Sequence, residues 1–456
     1  MANDTDNKLA SDSLGIWESI IMGVAGTAPA YSLAAATATL VAAVGILSPG
    51  STLYCGFFMF GITLAFMHLN KVTANAGASY AWVSKVFGKT LGFFSGWALL
   101  VATAVFMVSG TIPAATATLL LIAPEHASNP AWVTFVAALW LTGVSAIVFK
   151  GIKHASIVQV IMTTIEVAIL LAIAIGSIVA FASHPMHPFS ITWLSLTAFT
   201  PNSFATGALT AVFLYWGWDV TMNLNEETKG AESTPGWGAF WSMPIVMLLF
   251  ILFSIATLFA LTDSEIQGSG TNVIFAVADK IFPRPWSYLA VVSVLLSSAG
   301  TLETSILQFT RTMFAKGRDN ALHPRYAILH SSWKTPWVAT VFIWAFGLIF
   351  LFLSSYFPTV NTIIKDSVSA IGFQVAFYYS LTGLACAWYY RKMWKNMKEL
   401  LGYIIWPILS ALFLIFIALY SIPTFDLVTN LVGLGGIAIG IIPLALNYRR
   451  NKANKA

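Results

Sequence analysis

The chain has 456 residues, 58% of them apolar and 9% charged, with a formal net charge of +5. Soluble globular proteins run near 45–50% apolar and about 25% charged, and so few charges cannot clothe a water-facing surface of this size. A soluble enzyme, a nucleic-acid binder and a disordered chain all fit poorly. An all-α integral membrane protein fits well, with 17 Trp and 33 Phe to sit at membrane interfaces.

Residues 1–15 are polar, with Asp4, Asp6 and Asp12. They lack the basic start and short apolar run of a cleaved signal peptide, so the first apolar segment reads as an uncleaved span. A crossing helix needs about 20 mostly apolar residues. Twelve candidates follow, at 17–47, 51–69, 91–121, 131–149, 156–182, 204–225, 238–261, 286–315, 336–355, 362–390, 401–420 and 427–447. Cys55 and Cys386 fall inside such stretches and imply no disulfide framework.

Lysine and arginine set the orientation. With twelve spans and a cytoplasmic N-terminus, 20 of the 23 cations fall on the cytoplasmic side, and only Lys280, Arg284 and Lys365 fall elsewhere. Both termini are therefore expected inside, as tails over 1–15 and 448–456.

Two spans carry defects. The first reads Gly23-Val-Ala-Gly26-Thr27-Ala28-Pro29, and the sixth reads Phe213-Leu-Tyr215-Trp216-Gly217-Trp218-Asp219. Glycine weakens a helix, and proline removes a donor and clashes with the preceding turn. Glycine and proline also serve plain close packing in membrane helices. A matched pair five spans apart, running in opposite directions, instead predicts broken helices 1 and 6 in a five-plus-five inverted repeat. That repeat would occupy 16–390, with two peripheral spans over 391–447.

Three segments, in order and on the expected sides, resemble the amino acid–polyamine–organocation (APC) superfamily of permeases. Thr73-Ala-Asn-Ala-Gly77-Ala-Ser-Tyr80-Ala-Trp82, followed by Phe87-Gly88, Gly92-Phe93 and Gly96-Trp97, is similar to its P-x-x-G-G-x-Y-x-Y…F-G…G-F…G-W signature. Arg311 through Arg318-Asp319 to Pro324 resembles its R-x-x-x-x-x-x-R-D-G-x-x-P segment. Phe213 to Asp219, with Glu226-Glu227 beyond, resembles its F-x-x-x-G-[FW]-[DE] followed by E-E. The chain departs from the family at the first span, which lacks a tight G-x-G-type turn. It also departs at the fifth, where Glu166 stands at the lysine position of some proton-coupled members.

The resemblance implies a permease, not an enzyme, importing an amino acid by proton coupling and alternating access. A polyamine or other organic-amine permease, or an amino-acid exchanger, stays open. It implies that spans 1, 2, 6 and 7 rock against spans 3, 4, 8 and 9. The cargo would lie between spans 1 and 6. Unwound backbone exposes N–H and C=O groups, and half-helix N-termini favour anions. Amides around Gly26, Thr27 and Ala28 would take a carboxylate. Carbonyls before Gly23 and near Phe213 and Tyr215 would take an ammonium. Gly217 supplies the second break, Phe213 an aromatic gate and Asp219 a substrate- or proton-sensing group.

Three of the 18 acids lie well inside spans: Glu166, Asp219 and Glu303. A charge at a helix centre costs about 2.5–3.5 kcal/mol on insertion scales. Each is therefore a candidate proton carrier, with a structural hydrogen bond as the competing role and sodium as the alternative ion. Glu226, Glu227 and Glu232 read as a loop face, with Arg311 and Arg318 as candidate partners across an inner gate. No metal-ligand spacing, P-loop or dinucleotide motif occurs, so no cofactor is expected; the partners are a small amine-bearing solute, a proton and the lipid bilayer, with no nucleic acid.

Overall fold

The computed structural model describes residues 8–356 and 360–453, so the outer parts of the two expected tails, 1–7 and 454–456, lie outside the described residues, as does the side chain of Lys365. The described chain is helical, with a single isolated bridge between Leu14 and Thr228. Helix follows from the bilayer: backbone polar groups in hydrocarbon must bond within their own segment.

The first half contains α1 (Ile16–Gly26), α2 (Pro29–Val44), α3 (Ser48–Val72), α4 (Ser79–Phe87), α5 (Lys89–Ser109), α6 (Thr111–Ile122), α7 (Pro130–Phe149) and α8 (Ile152–Phe181). The second contains α9 (Pro201–Leu214), α10 (Val220–Asn223), α11 (Thr234–Ala260), α12 (Asp263–Ser269), α13 (Val273–Ile281), α14 (Leu289–Arg318), α15 (Trp337–Ser354) and α16 (Val360–Tyr389). After these come α17 (Met397–Glu399), α18 (Trp406–Ser421), α19 (Leu427–Asn430), α20 (Gly436–Ala438) and α21 (Ile441–Ala453). Helix starts follow local chemistry. Asn129 accepts from the Ala131 amide ahead of a proline at the first turn of α7, and Thr200 and Ser203 form a capping box on α9.

Among the described residues, ten stretches are long and apolar enough to cross a membrane. This count differs from the twelve expected, for two physical reasons. Ile16–Val72 runs on as one stretch of 57 residues, far beyond a single crossing, and α9 stops at Leu214, too short to qualify alone. The protein is a multi-pass membrane protein. Its centre is formed by the stretches Lys89–Ile122, Trp286–Arg318 and Ser367–Tyr389, which are mostly buried along their most apolar 18 residues, whereas Leu427–Lys452 is mostly exposed there and lies at the periphery.

The two chain ends meet the same face of the bundle. Ser13 and Leu14 donate to the Glu227 carbonyl, while Asn447 and Arg450 donate to the Asn320 and Leu322 carbonyls. Loops 226–233 and 319–325 therefore share one face with both termini.

Candidate substrate site

Both defects become true interruptions. α1 ends at Gly26 and α2 begins at Pro29, with Ala28 left-handed between them (φ 48, ψ 63). α9 ends at Leu214 and α10 begins at Val220, with Gly217 at φ 104. The two interruptions touch backbone to backbone: a Cβ on Gly26 would fall 2.1 Å from the Gly217 carbonyl oxygen, and one on Gly217 would fall 2.0 Å from that of Gly26. Only glycine tolerates both that approach and that φ.

Beside this contact lies a narrow void, closed down until no water-sized space is left between its walls. Gly26, Thr27, Ala28, Tyr31 and Ser32 wall it from the first break, Phe213 and Trp216 from the second, and Phe106 and Thr301 from α5 and α14. None of these nine residues carries a charged side chain. Four rings form its lid and wall: Tyr31 meets Phe106 edge-on at 5.8 Å and Phe213 at 6.2 Å, and Phe106 meets Trp216 at 5.5 Å. Tyr31 also lines a larger cavity of about 630 Å³, shared with Pro113, Thr116, Asn272 and Val291. Val291 lies at the start of α14, whose other end carries Arg311 and Arg318, so this cavity is at the end of the bundle away from the termini; Pro113 and Thr116 reach it from α6 and Asn272 from between α12 and α13. Tyr31 stands between this vestibule and the void.

The opposite end is sealed by charge. Arg311 donates to both carboxylate oxygens of Glu227, 2.8 Å each, with both side chains buried. Arg318 grips Glu226 at 2.8 and 2.9 Å, and Glu226 also accepts from the Ala76 amide at 2.9 Å. Asn223 donates to the Ala76 carbonyl and to Thr312, which fastens α10 to α14 and to the segment before α4.

The expected site residues divide. Gly26, Thr27, Ala28 and Phe213 line the void. Gly23 packs instead on α11, where a Cβ would meet Ser242 Oγ at 2.5 Å. Tyr215 points to α3 and donates to the Thr52 carbonyl at 2.9 Å. Gly217 supports Gly26 from behind. Asp219 does not line the void: its Oδ2 accepts from Tyr378 and its Oδ1 from Tyr379, 2.9 Å each. The amides expected to be bare at the first break are partly closed. Thr27 N–H bonds the Val24 carbonyl and Ala28 N–H the Ala25 carbonyl, because the chain tightens by one residue before turning.

The acids differ in their surroundings. Glu166 accepts from the Ala30 amide at 2.9 Å, so a carboxylate caps the positive end of α2, and Ser297 takes the next amide, that of Tyr31, at 3.1 Å. Glu303 is buried, and among the described residues neither carboxyl oxygen has a hydrogen-bond partner. Thr301, two residues earlier and so on another face of α14, donates to the Ala25 carbonyl at 2.6 Å.

Several of these residues went unnamed in the sequence reading. Tyr31 and Ser32 were within reach of it, being the first turn after Pro29. Thr301 belongs to the Ser297, Thr301, Thr304 row, a helical repeat of small polar residues. Phe106 and Tyr378 carry no local signal.

An uncharged void thus lies at the meeting of two broken helices, covered by aromatic rings toward one face and bolted by ion pairs at the other. Residues 14–442 match the amino acid permease family, and the chain belongs to it, within the APC superfamily; it is a transporter, not an enzyme. It is similar to the serine/threonine exchanger SteT of Bacillus subtilis, 24% identical over 398 residues, 86% of this chain and 85% of that one. The branched-chain amino acid permease BcaP of Lactococcus lactis is 25% identical over 354 residues, 74% of this chain and 73% of that one. The low-affinity putrescine importer PlaP of Escherichia coli is 23% identical over 349 residues, with the same two coverages, 74% and 73%.

Proposed function

We propose that the chain is a secondary active transporter that takes up a neutral amino acid across the cell membrane through the void beside Gly26 and Gly217, by alternating access in a five-plus-five repeat. The carrying observation is the lining. A zwitterion brings its own compensating charges and needs only the dipoles of the interrupted backbone and the hydroxyls of Thr27, Ser32 and Thr301 in the wall. A diamine brings two positive charges and meets no carboxylate in that lining, because Asp219 faces Tyr378 and Tyr379 and Glu166 faces Ala30. The likeness to a putrescine importer keeps a diamine as the rival cargo, and the likeness to an exchanger keeps exchange as the rival mode.

The coupling ion in this reading is a proton, and Glu303 takes it up. Its carboxyl is buried without a partner, so its charge is the least compensated among the three interior acids. Of the acids, lysines and histidines on the helices packed against α14, only Glu166 lies away from a helix end, and its carboxylate is already held by Ala30. With 20 of 23 cations on the face that carries both termini, that face is cytoplasmic and the vestibule opens outward.

The test is uptake by proteoliposomes of L-threonine, L-leucine and putrescine, with an inward pH gradient, an inward sodium gradient or neither. The expected result is accumulation of at least one of the two amino acids, driven by the pH gradient and lost in Glu303→Gln. Accumulation of putrescine alone would overturn the cargo, and dependence on sodium alone would overturn the ion.

A further inference from the structure

Asp219 stands in the second break yet faces away from the void, and what holds it is a pair of consecutive tyrosines on α16. Tyr378 does more than hold it. Its hydroxyl accepts from the indole Nε1 of Trp216 at 3.0 Å while donating to Asp219 Oδ2 at 2.9 Å. A phenol has one proton to give and lone pairs to receive, so both bonds form at once. Trp216 is a wall of the void, and Asp219 begins α10, the short helix that leads to the Glu226 and Glu227 ion pairs.

We propose that Tyr378 is a positioning residue for substrate binding: it fixes the Trp216 indole in the void's wall and ties that wall to Asp219. The inference rests on the reading of the void as the cargo site. An indole swings about two side-chain bonds, and its only polar anchor is the N–H. Here that N–H is buried, and it would be orphaned without Tyr378. The same indole also packs against the Phe106 ring, centroid to centroid 5.5 Å and nearly perpendicular. The wall is thus clamped between an aromatic ring and a hydroxyl, neither of which belongs to the broken helices.

Tyr379 supplies an internal control. It binds the other oxygen of the same carboxylate at 2.9 Å and packs against Trp218 at 5.5 Å, and it makes no hydrogen bond to Trp216. Tyr378→Phe and Tyr379→Phe each remove one hydroxyl from Asp219, and only the former releases the indole. α16 is also bound to the neighbouring helices through Thr382 and Ser79, with Ser79 in turn on Ser95, so the clamp has a fixed base.

The experiment compares KM and maximal rate for L-threonine and L-leucine uptake in six proteins: the wild type, Tyr378→Phe, Tyr379→Phe, Trp216→Phe, Phe213→Leu and the double variant Trp216→Phe with Tyr378→Phe. A lost hydrogen bond of ordinary strength predicts a rise in KM of about three- to tenfold for Tyr378→Phe, with little change for Tyr379→Phe. The double variant should be no worse than the poorer single one, because both changes remove the same Trp216–Tyr378 bond and Tyr379→Phe gauges the loss at Asp219. Equal KM values for Tyr378→Phe and Tyr379→Phe would overturn the proposal, as would full additivity in the double variant. Phe213→Leu separates the two levels. If it changes KM while Tyr378→Phe does not, the void stands and the clamp falls. If neither changes KM, the void is not the cargo site and both fall.

Discussion

The two ends of the bundle are closed by different chemistry. Toward the termini, guanidinium–carboxylate pairs lock α14 to the exit of α10, one of them buried. Toward the vestibule, the void is covered by one phenol ring resting on two others. A buried ion pair has demanding geometry and is costly to leave half-made. Edge-to-face rings exchange partners cheaply, each contact adding about 0.5–1.5 kcal/mol beyond its buried area. The structure therefore holds its charged end shut and its aromatic end close to open.

The contrast is broken most forcefully at Glu227. Glu227→Gln leaves Arg311 buried without its counter-charge, and roughly 3–5 kcal/mol of stability should go with it. Thermal unfolding in detergent would register the drop. Replacing both members, with Arg311→Met and Glu227→Leu, should be milder than the single change; an equal or larger loss would show that the pair does more than neutralise charge.

The aromatic lid gives a smaller effect. In an otherwise wild-type chain, Ser32→Cys introduces a thiol into the void wall, beside native Cys55 and Cys386, both buried. A membrane-impermeant thiol reagent applied from the vestibule side should label it slowly. Adding Tyr31→Leu should speed labelling on the order of tenfold, the equivalent of about 1.4 kcal/mol of lost closure. Unchanged labelling would mean that something other than Tyr31 closes the void.

Glu226 is partly exposed, so Glu226→Gln should cost no more than about 1 kcal/mol, and high salt should reproduce part of the loss in the wild type. A cost equal to that of Glu227→Gln would erase the distinction between the two pairs.

The smallest effect belongs to the vestibule rim. Lys280 donates to Glu265 at 2.7 Å, and together with the Thr262 amide it holds that carboxyl down to about 2, below the ordinary 4.5. A lowered carboxyl stabilises above its unfolded value and loses that contribution as pH falls toward its folded one. Lys280→Gln should therefore loosen α12 at neutral pH, measured as amide hydrogen exchange against the wild type at the same pH. The difference should shrink below about pH 4.5 and vanish near 2. A difference that persisted at low pH would place the tether elsewhere.

Much of this architecture is legible in the residues, and the remainder fails for a physical reason. Gly23 to Pro29 and Phe213 to Asp219 announce helix faults because glycine and proline act on their own backbone. The facing of Gly26 and Gly217 is a property of two distant segments, and no local pattern encodes it. Charge counting locates the acids and, at the face that carries both termini, names both arginines that Glu226 and Glu227 engage. It could not orient Asp219, whose tyrosine partners lie 159 and 160 residues onward. The assumption that broken backbone is bare backbone failed at Thr27 and Ala28, since a chain can tighten its last turn before leaving the helix.

The hydroxyl of Thr301, 2.6 Å from the Ala25 carbonyl, stitches a straight helix to the tip of an interrupted one beside the void. Arg311 lies ten residues farther along that same helix, about 15 Å on. One rod therefore carries both the seam beside the void and the clasp at the terminal face, and the two fastenings share a single frame.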